Sequence, residues 1–458
     1  MYGSGRRVVC GADPRRTALG HPAHRSANHM ADLLTPQTIA VAVLAGAALA
    51  LSFRDITKFA FAWAFTFPID VINGVPGWVF DGLRYGGAAW VVLRVGSDLP
   101  QTRRPILRSM AILLAVLATI RGSMAIVNHD QPNVRVGLMM ASGTALGYLV
   151  ALRTKVHPPI ITGYLAGVTF SASVSVLQSL HWTVIAPANI YGSRYPGLST
   201  YTAVFSWHAA TALIVAAYLV ASRVRYRDRT FWFALIVAPT CLLGLVTNGA
   251  QGGMLGVAAA TLAVAWTQRR VASGKHVATV AGGALAAAIV VMGAVAVAGV
   301  DIPSISDYDR SFTNERSRID SWQQGIEALI DHPLTGTSSH DYLFGRGNRI
   351  MPHLLPLESA AVAGIAGLVA ASAVVGYLAW LILKGPVDRR SHTIAAYGVL
   401  VSLLVNTLTE PQGPFMGVGR AVPLFLIILY ACVGTVASGE TTEAGQAPQP
   451  GQLPNRAS

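Results

Sequence analysis

Residues 200–247 read TYTAVFSWHAATALIVAAYLVASRVRYRDRTFWFALIVAPTCLLGLVT. Two apolar runs of about twenty residues flank one basic turn, Arg223-Val-Arg-Tyr-Arg-Asp-Arg229. A helix of that length crosses a hydrocarbon layer about 30 Å thick, and a helix is the one open structure that satisfies its own backbone polar groups there. The stretch therefore predicts two antiparallel membrane spans joined by a short charged loop.

The same pattern repeats outward from it. Apolar runs at 106–127, 134–152, 158–180, 250–267, 277–299, 358–383, 391–408 and 415–437 predict further spans. Segments 37–53 and 80–97 also read as spans, while 56–69 is short for one. The expected fold is all-α: a polytopic membrane helix bundle of about 12–13 spans with one large external loop containing short helices. Composition agrees. Charged residues are 12% of the 458-residue chain and hydrophobic residues 53%, with a mean hydropathy of +0.49. These values exclude a disordered chain and an ordinary soluble enzyme. Cys10, Cys241 and Cys432 are far apart in sequence, which argues against a disulfide framework or a Cys-rich metal site.

The net charge of +13 resembles that of a nucleic-acid binder until the charges are located. They gather at 101–108, 153–155, 223–229, 269–275 and 384–390, and counting spans between these segments puts all five on one side. The positive-inside rule makes that side cytoplasmic, leaving 181–199, 300–357 and 409–414 outside, with no nucleic-acid partner expected. The N-terminus stays open: thirteen spans put it outside, against its arginines, and twelve put it inside, with 56–69 dipping in without crossing. The expected organisation is a disordered basic tail at 1–35, a membrane bundle at 36–299, an external catalytic loop at 300–357, the last transmembrane helices at 358–437 and a disordered cytoplasmic tail at 438–458. No cleavable signal peptide is expected in the polar N-terminal 35 residues.

Most of the external polar chemistry lies in 300–357. Within it, Asn314 to Ile330 predicts a helix. Ile319, Trp322, Ile326 and Leu329/Ile330 recur at helical spacing, as a stripe that can rest on the bundle. Pro333 predicts the end of that helix. Asp307-Tyr-Asp309 has the form of a metal-chelating pair, but arises easily in a Ser-rich acidic loop, so no metal is expected. Arg121 and Asp70, in or beside apolar runs, are expected to form packing ion pairs in the bundle.

Arg318-Ile-Asp-Ser-Trp322, then Asp331-His-Pro-Leu-Thr-Gly336, Pro352-His353, Glu358 and Gly364-Ile-Ala-Gly-Leu368 follow in an order that resembles the O-antigen ligase and polymerase superfamily. Arg194-Tyr-Pro-Gly-Leu198 resembles that family's earlier external loop, and Asn406-Thr-Leu-Thr-Glu410 a segment near its end. The resemblance covers roughly residues 190–430. Two positions depart from it. Gln251 stands where the family commonly has an arginine, and Leu354 follows the histidine where asparagine is frequent.

The resemblance implies a membrane glycosyltransferase without metal or other cofactor. It would move a glycan from a polyprenyl-diphosphate carrier to an acceptor hydroxyl on a glycan, lipid or protein, at the outer face of the cytoplasmic membrane. The leaving group is a lipid diphosphate, so cationic donors must be in place before reaction, and arginine's fork matches phosphate oxygens. Arg194, Arg310, Arg316 and Arg318 are the candidates. His353 is the candidate general base, by the family's Pro-His motif and by its position just before the next span. Glu358, Glu410 and Gln251 are candidates for orienting the base or binding the acceptor; the alternative for Glu410 is an ion pair with Arg420. The competing function is a multispanning transporter of lipid-linked or free oligosaccharide, which predicts internal repeats and broken helices at the bilayer midplane. No repeat is apparent in the sequence.

Overall fold

The computed structural model describes residues 46, 50, 53–99, 104–182, 185–186, 194–223, 227–268, 305–339, 341–342, 351–384 and 391–409. The side chains of 104, 221–223, 268, 305–317 and 391–394 lie outside that description, as do most of the expected span 37–53, the expected spans 277–299 and 415–437, and both expected tails. The described chain is helical, with α1 Ile56–Phe65, α2 Gly77–Arg94, α3 Arg104–Val127, α4 Gln131–Ala151, α5 His157–Ser179 and α6 Thr202–Arg223. There follow α7 Arg229–Asn248, α8 Gln251–Gln268, α9 Ile305–Asp331, α10 Leu355–Lys384 and α11 Ser391–Thr409. Among the described residues, six helices are long and apolar enough to cross a membrane: those at Pro105–Val127, Gln131–Ala151, Thr154–Ser179, Thr202–Val220, Arg229–Asn248 and Leu355–Lys384. The protein is an all-α, multi-pass membrane helix bundle.

Local chemistry sets the helix boundaries. Asp130 caps α4, its carboxylate accepting the Asn133 N–H, and Asp228 caps α7 by accepting from Phe231. Gly249 ends α7 in the left-handed region at φ 64°. Packing between helices uses small residues, as expected where lipid gives no hydrophobic drive for association. A side chain at Gly163 or Gly167 of α5 would collide with the backbone of Phe61 or Phe65, so α1 lies directly on α5.

Contacts run round a closed circuit: α10 on α3, α3 on α4, α4 on α2, α2 on α1, α1 on α5, α5 on α7, α7 on α6, α6 on α8, α8 on α11 and α11 on α10. Hydrogen bonds sort the connections to two ends. At one, Asp98 accepts from the Thr154 N–H, and Arg153 donates to Val92 and Val95 carbonyls at the end of α2. At the other, Asn128 donates to Thr335 O, and Asn248 to Tyr195 O. Segment 53–70 runs from one end to the other: Phe53 O accepts from Arg94, and the Asp70 N–H donates to Leu198 O.

The expectation of a helix at 314–330 is corrected in extent and in facing. The α9 backbone begins at Ile305 and ends at Asp331, ahead of Pro333. Its apolar stripe does not rest on the bundle. Ile319, Trp322, Ile326 and Ile330 are 52%, 37%, 46% and 71% exposed, whereas Ser321 and Ala328 are fully buried. The packed face is the small-residue one, Ser321, Gly325 and Ala328, because it brings the α9 backbone close to the segment before α10. A Cβ on Gly325 would lie 2.7 Å from Pro352 Cγ.

Candidate functional site

His353 is placed from both sides. Pro352 is buried against Gly325 of α9, and the Glu358 N–H donates to Leu354 O, so α10 begins within two residues of the histidine. The imidazole is half-buried.

The first turns of α10 are separated from the rest of that helix by a break. Ala363 and Gly364 have non-helical angles, with Gly364 at φ 61°, ψ −156°, a region open essentially to glycine alone. The freed backbone groups find partners in the loop after α9. Thr337 N–H donates to Ala361 O at 2.8 Å, and Ile365 N–H to Pro333 O at 2.8 Å. A side chain on Gly336 would strike the Val362 backbone, and one on Gly364 would strike Pro333 O. The motifs 331–336 and 364–368 are thus two halves of one packed joint. The joint holds 355–362 as a separate short helix carrying Glu358.

Glu358 is 9% exposed, and its carboxylate meets the Arg121 guanidinium of α3 at 3.5 Å. Its second oxygen, Oε2, is buried without a hydrogen-bond donor. Glu358 also interacts electrostatically with His353. Arg121, 2% exposed, donates to Asn133 Oδ1 at 3.2 Å, and Asn133 donates to Asp130 Oδ2 at 2.7 Å. Asp130 in turn accepts the Ser339 N–H at 2.5 Å and its hydroxyl at 3.0 Å. Burial by itself would raise the Asp130 pKa, but the donors on Ser339 and Asn133 outweigh it and hold the carboxyl below its ordinary value. An unbroken polar chain therefore links the post-α9 loop to Glu358 through the α3–α4 turn.

A second polar cluster surrounds Arg194-Tyr-Pro-Gly-Leu198. Gln178 of α5 holds Gly197 at both its N–H (2.9 Å) and its carbonyl (3.0 Å). Ser175 donates to Tyr195 O, Asn248 donates to the same oxygen, and Ser175 and Thr247 hydroxyls lie 2.9 Å apart. Gly197 has φ 61° and sits so close to Ser171 that a side chain would collide with it. Beneath the segment, Arg84 of α2 pairs with Asp70 at 2.7 Å and donates to the Phe67 carbonyl at 3.1 Å. That buried pair ties the end of segment 53–70 to α2, as expected for Asp70. Arg194, half-buried, stands at the start of the clamped segment. Gln251 opens α8, three residues beyond Asn248.

Of the candidates, the structure groups His353 with Glu358 and sets Arg318 two helical turns before Gly325, on the packed face of α9. Arg194 and Gln251 belong with the second cluster. The side chains of Arg310 and Arg316, and all of Glu410, lie outside the described residues, as do the Asp307 and Asp309 side chains. Among the described residues no group of three or more His, Cys, Asp or Glu side chains is arranged to hold a metal ion. The partnership of Arg121 with Glu358 escaped the sequence, which showed an arginine inside an apolar run but not which carboxylate, 237 residues away, would meet it.

No curated protein matches the chain. Residues 236–372, spanning most of α7, then α8, α9 and the first half of α10, match the family model described as O-antigen ligase.

Proposed function

We propose that the protein is a metal-independent glycosyltransferase that moves a glycan from a polyprenyl-diphosphate carrier to an acceptor hydroxyl. We place it in the cytoplasmic membrane, with the end formed by the 128–130, 194–200 and 332–342 segments on the outer side. Among the described residues, the opposite end carries Arg153, Lys155, Arg227, Arg229 and Lys384, and basic loops favour the cytoplasm.

His353 is the general base. It takes the acceptor proton as the oxygen attacks the anomeric carbon, and the bond from that carbon to the diphosphate breaks with its electron pair leaving on the lipid diphosphate. Arg318, Arg194, Arg316 and Arg310 stabilise the charge on the leaving group. Glu358 orients the imidazole and offsets the positive charge that it gains. Gln251 and Glu410 contribute to acceptor binding.

The observation that supports this reading most is a buried carboxylate, Glu358, held by Arg121 five residues after His353 and within the O-antigen ligase match. A buried carboxylate near an imidazole offsets the positive charge that the imidazole gains as it takes a proton. The testing experiment is a deletion strain complemented with wild type or His353→Ala. The variant is expected to accumulate carrier-linked glycan and to form no product at normal protein level. Normal product would remove His353 from the mechanism. Purified protein is expected to keep its activity in a chelator.

A further inference from the structure

Arg121 lies outside the matched O-antigen ligase segment, in a helix that would otherwise serve only as a span. Its environment is unusual for packing alone. A buried ion pair is often no better for stability than two apolar side chains of similar volume, so burial of a guanidinium calls for another reason. The contacts supply one. Arg121 reaches Glu358 with the same Nη2 that donates to Asn133, leaving Glu358 Oε2 buried without a hydrogen-bond partner, five residues after His353, with which Glu358 interacts electrostatically. One carboxylate oxygen is fixed while the other is kept for a proton donor that arrives or turns. The joint at Gly336 and Gly364 fixes the short helix bearing Glu358 but cannot fix its side chain; Arg121 can.

We infer that Arg121 is a positioning residue for the transfer reaction, acting through Glu358 to hold the His353 imidazole ready to accept the acceptor's proton. The inference rests on the reading of His353 as base. Arg121 touches no substrate. Its positive charge secures the Glu358 carboxylate, and the negative charge of Glu358 stabilises the imidazolium formed in the attack. Arg121 from α3 meets Glu358, with Asn133 and Asp130 behind it, and His353 lies on the segment just before α10.

The test uses full-length protein in nanodiscs, carrier-linked glycan extracted from the deletion strain and the native acceptor fraction. In Arg121→Gln, kcat is expected to fall about 10²-fold, within the range attributed to a positioned base, with little change in KM for the donor. Arg121→Lys should recover about tenfold of the loss by restoring the charge without the fork. The apolar pair Arg121→Met/Glu358→Leu should melt like wild type yet remain as slow as Arg121→Gln. A wild-type rate in that double variant, or a loss in Arg121→Gln that appears in KM with kcat unchanged, overturns the inference. Unchanged transfer in His353→Ala would instead overturn the assignment of the base on which it rests.

Discussion

Gly325 on α9 faces Pro352, so closely that a Cβ added at position 325 would lie 2.7 Å from the proline Cγ. Proline's ring cannot rotate out of the way, and the next residue is His353. The α9 backbone therefore sets the position of the candidate base through one contact between small surfaces.

Gly325→Val is accordingly expected to reduce glycan transfer by about tenfold or more while leaving the protein in the membrane, because a shift of about 1 Å at a reacting group costs rate far more than stability. The measurement is product formed per unit of membrane protein, with the carrier-linked glycan followed as the accumulating precursor.

Gly364→Ala is expected to destabilise the bundle by about 1–3 kcal/mol, since φ 61° with ψ −156° is open essentially to glycine and the new methyl would meet Pro333 O. Thermal unfolding in detergent should show it. Gly376→Ala, in the same helix with open space around it, is the control and should be neutral.

Ala328→Leu and Ile330→Gln should behave oppositely to what hydropathy suggests. Ala328 is fully buried in a cluster with Tyr342 and Ala361, so leucine there overpacks the contact and costs about 1–3 kcal/mol. Ile330 is 71% exposed, so glutamine should change stability by no more than about 0.5 kcal/mol. Both are read from melting curves of the purified protein.

The Asp130–Ser339 clasp should be sensitive to acid. The folded carboxyl titrates below the ordinary value of 3.8, so its contribution is complete above that pH and is lost as pH falls through the lower, folded value. Hydrogen exchange at the Ser339 amide is expected to rise over that window in wild type. In Asp130→Asn it should already be faster at neutral pH and vary less with acid.

The membrane architecture was legible because its cause is local. A span must bury about twenty consecutive residues, and a basic loop keeps its charge in water, so both show as runs along the chain. The stop of α9 was legible for a similar reason, since Pro333 acts on the residue before it, whereas the break at Gly364 fell inside an expected continuous span. The α9 stripe misled because hydropathy assumes that apolar residues face protein, whereas close approach of two backbones selects the small ones.

The sequence by itself determined a helical membrane bundle, one long polar segment at 300–357, and a histidine and a glutamate, His353 and Glu358, near the start of the helix that follows it. Tertiary structure alone decided that Arg121 answers Glu358, that Gly336 and Gly364 form one joint, and that Gln178 and Asn248 clamp the segment following Arg194. Helix order along a chain does not fix which faces meet across a bundle. That is settled by where small residues let backbones approach and where buried charges find partners.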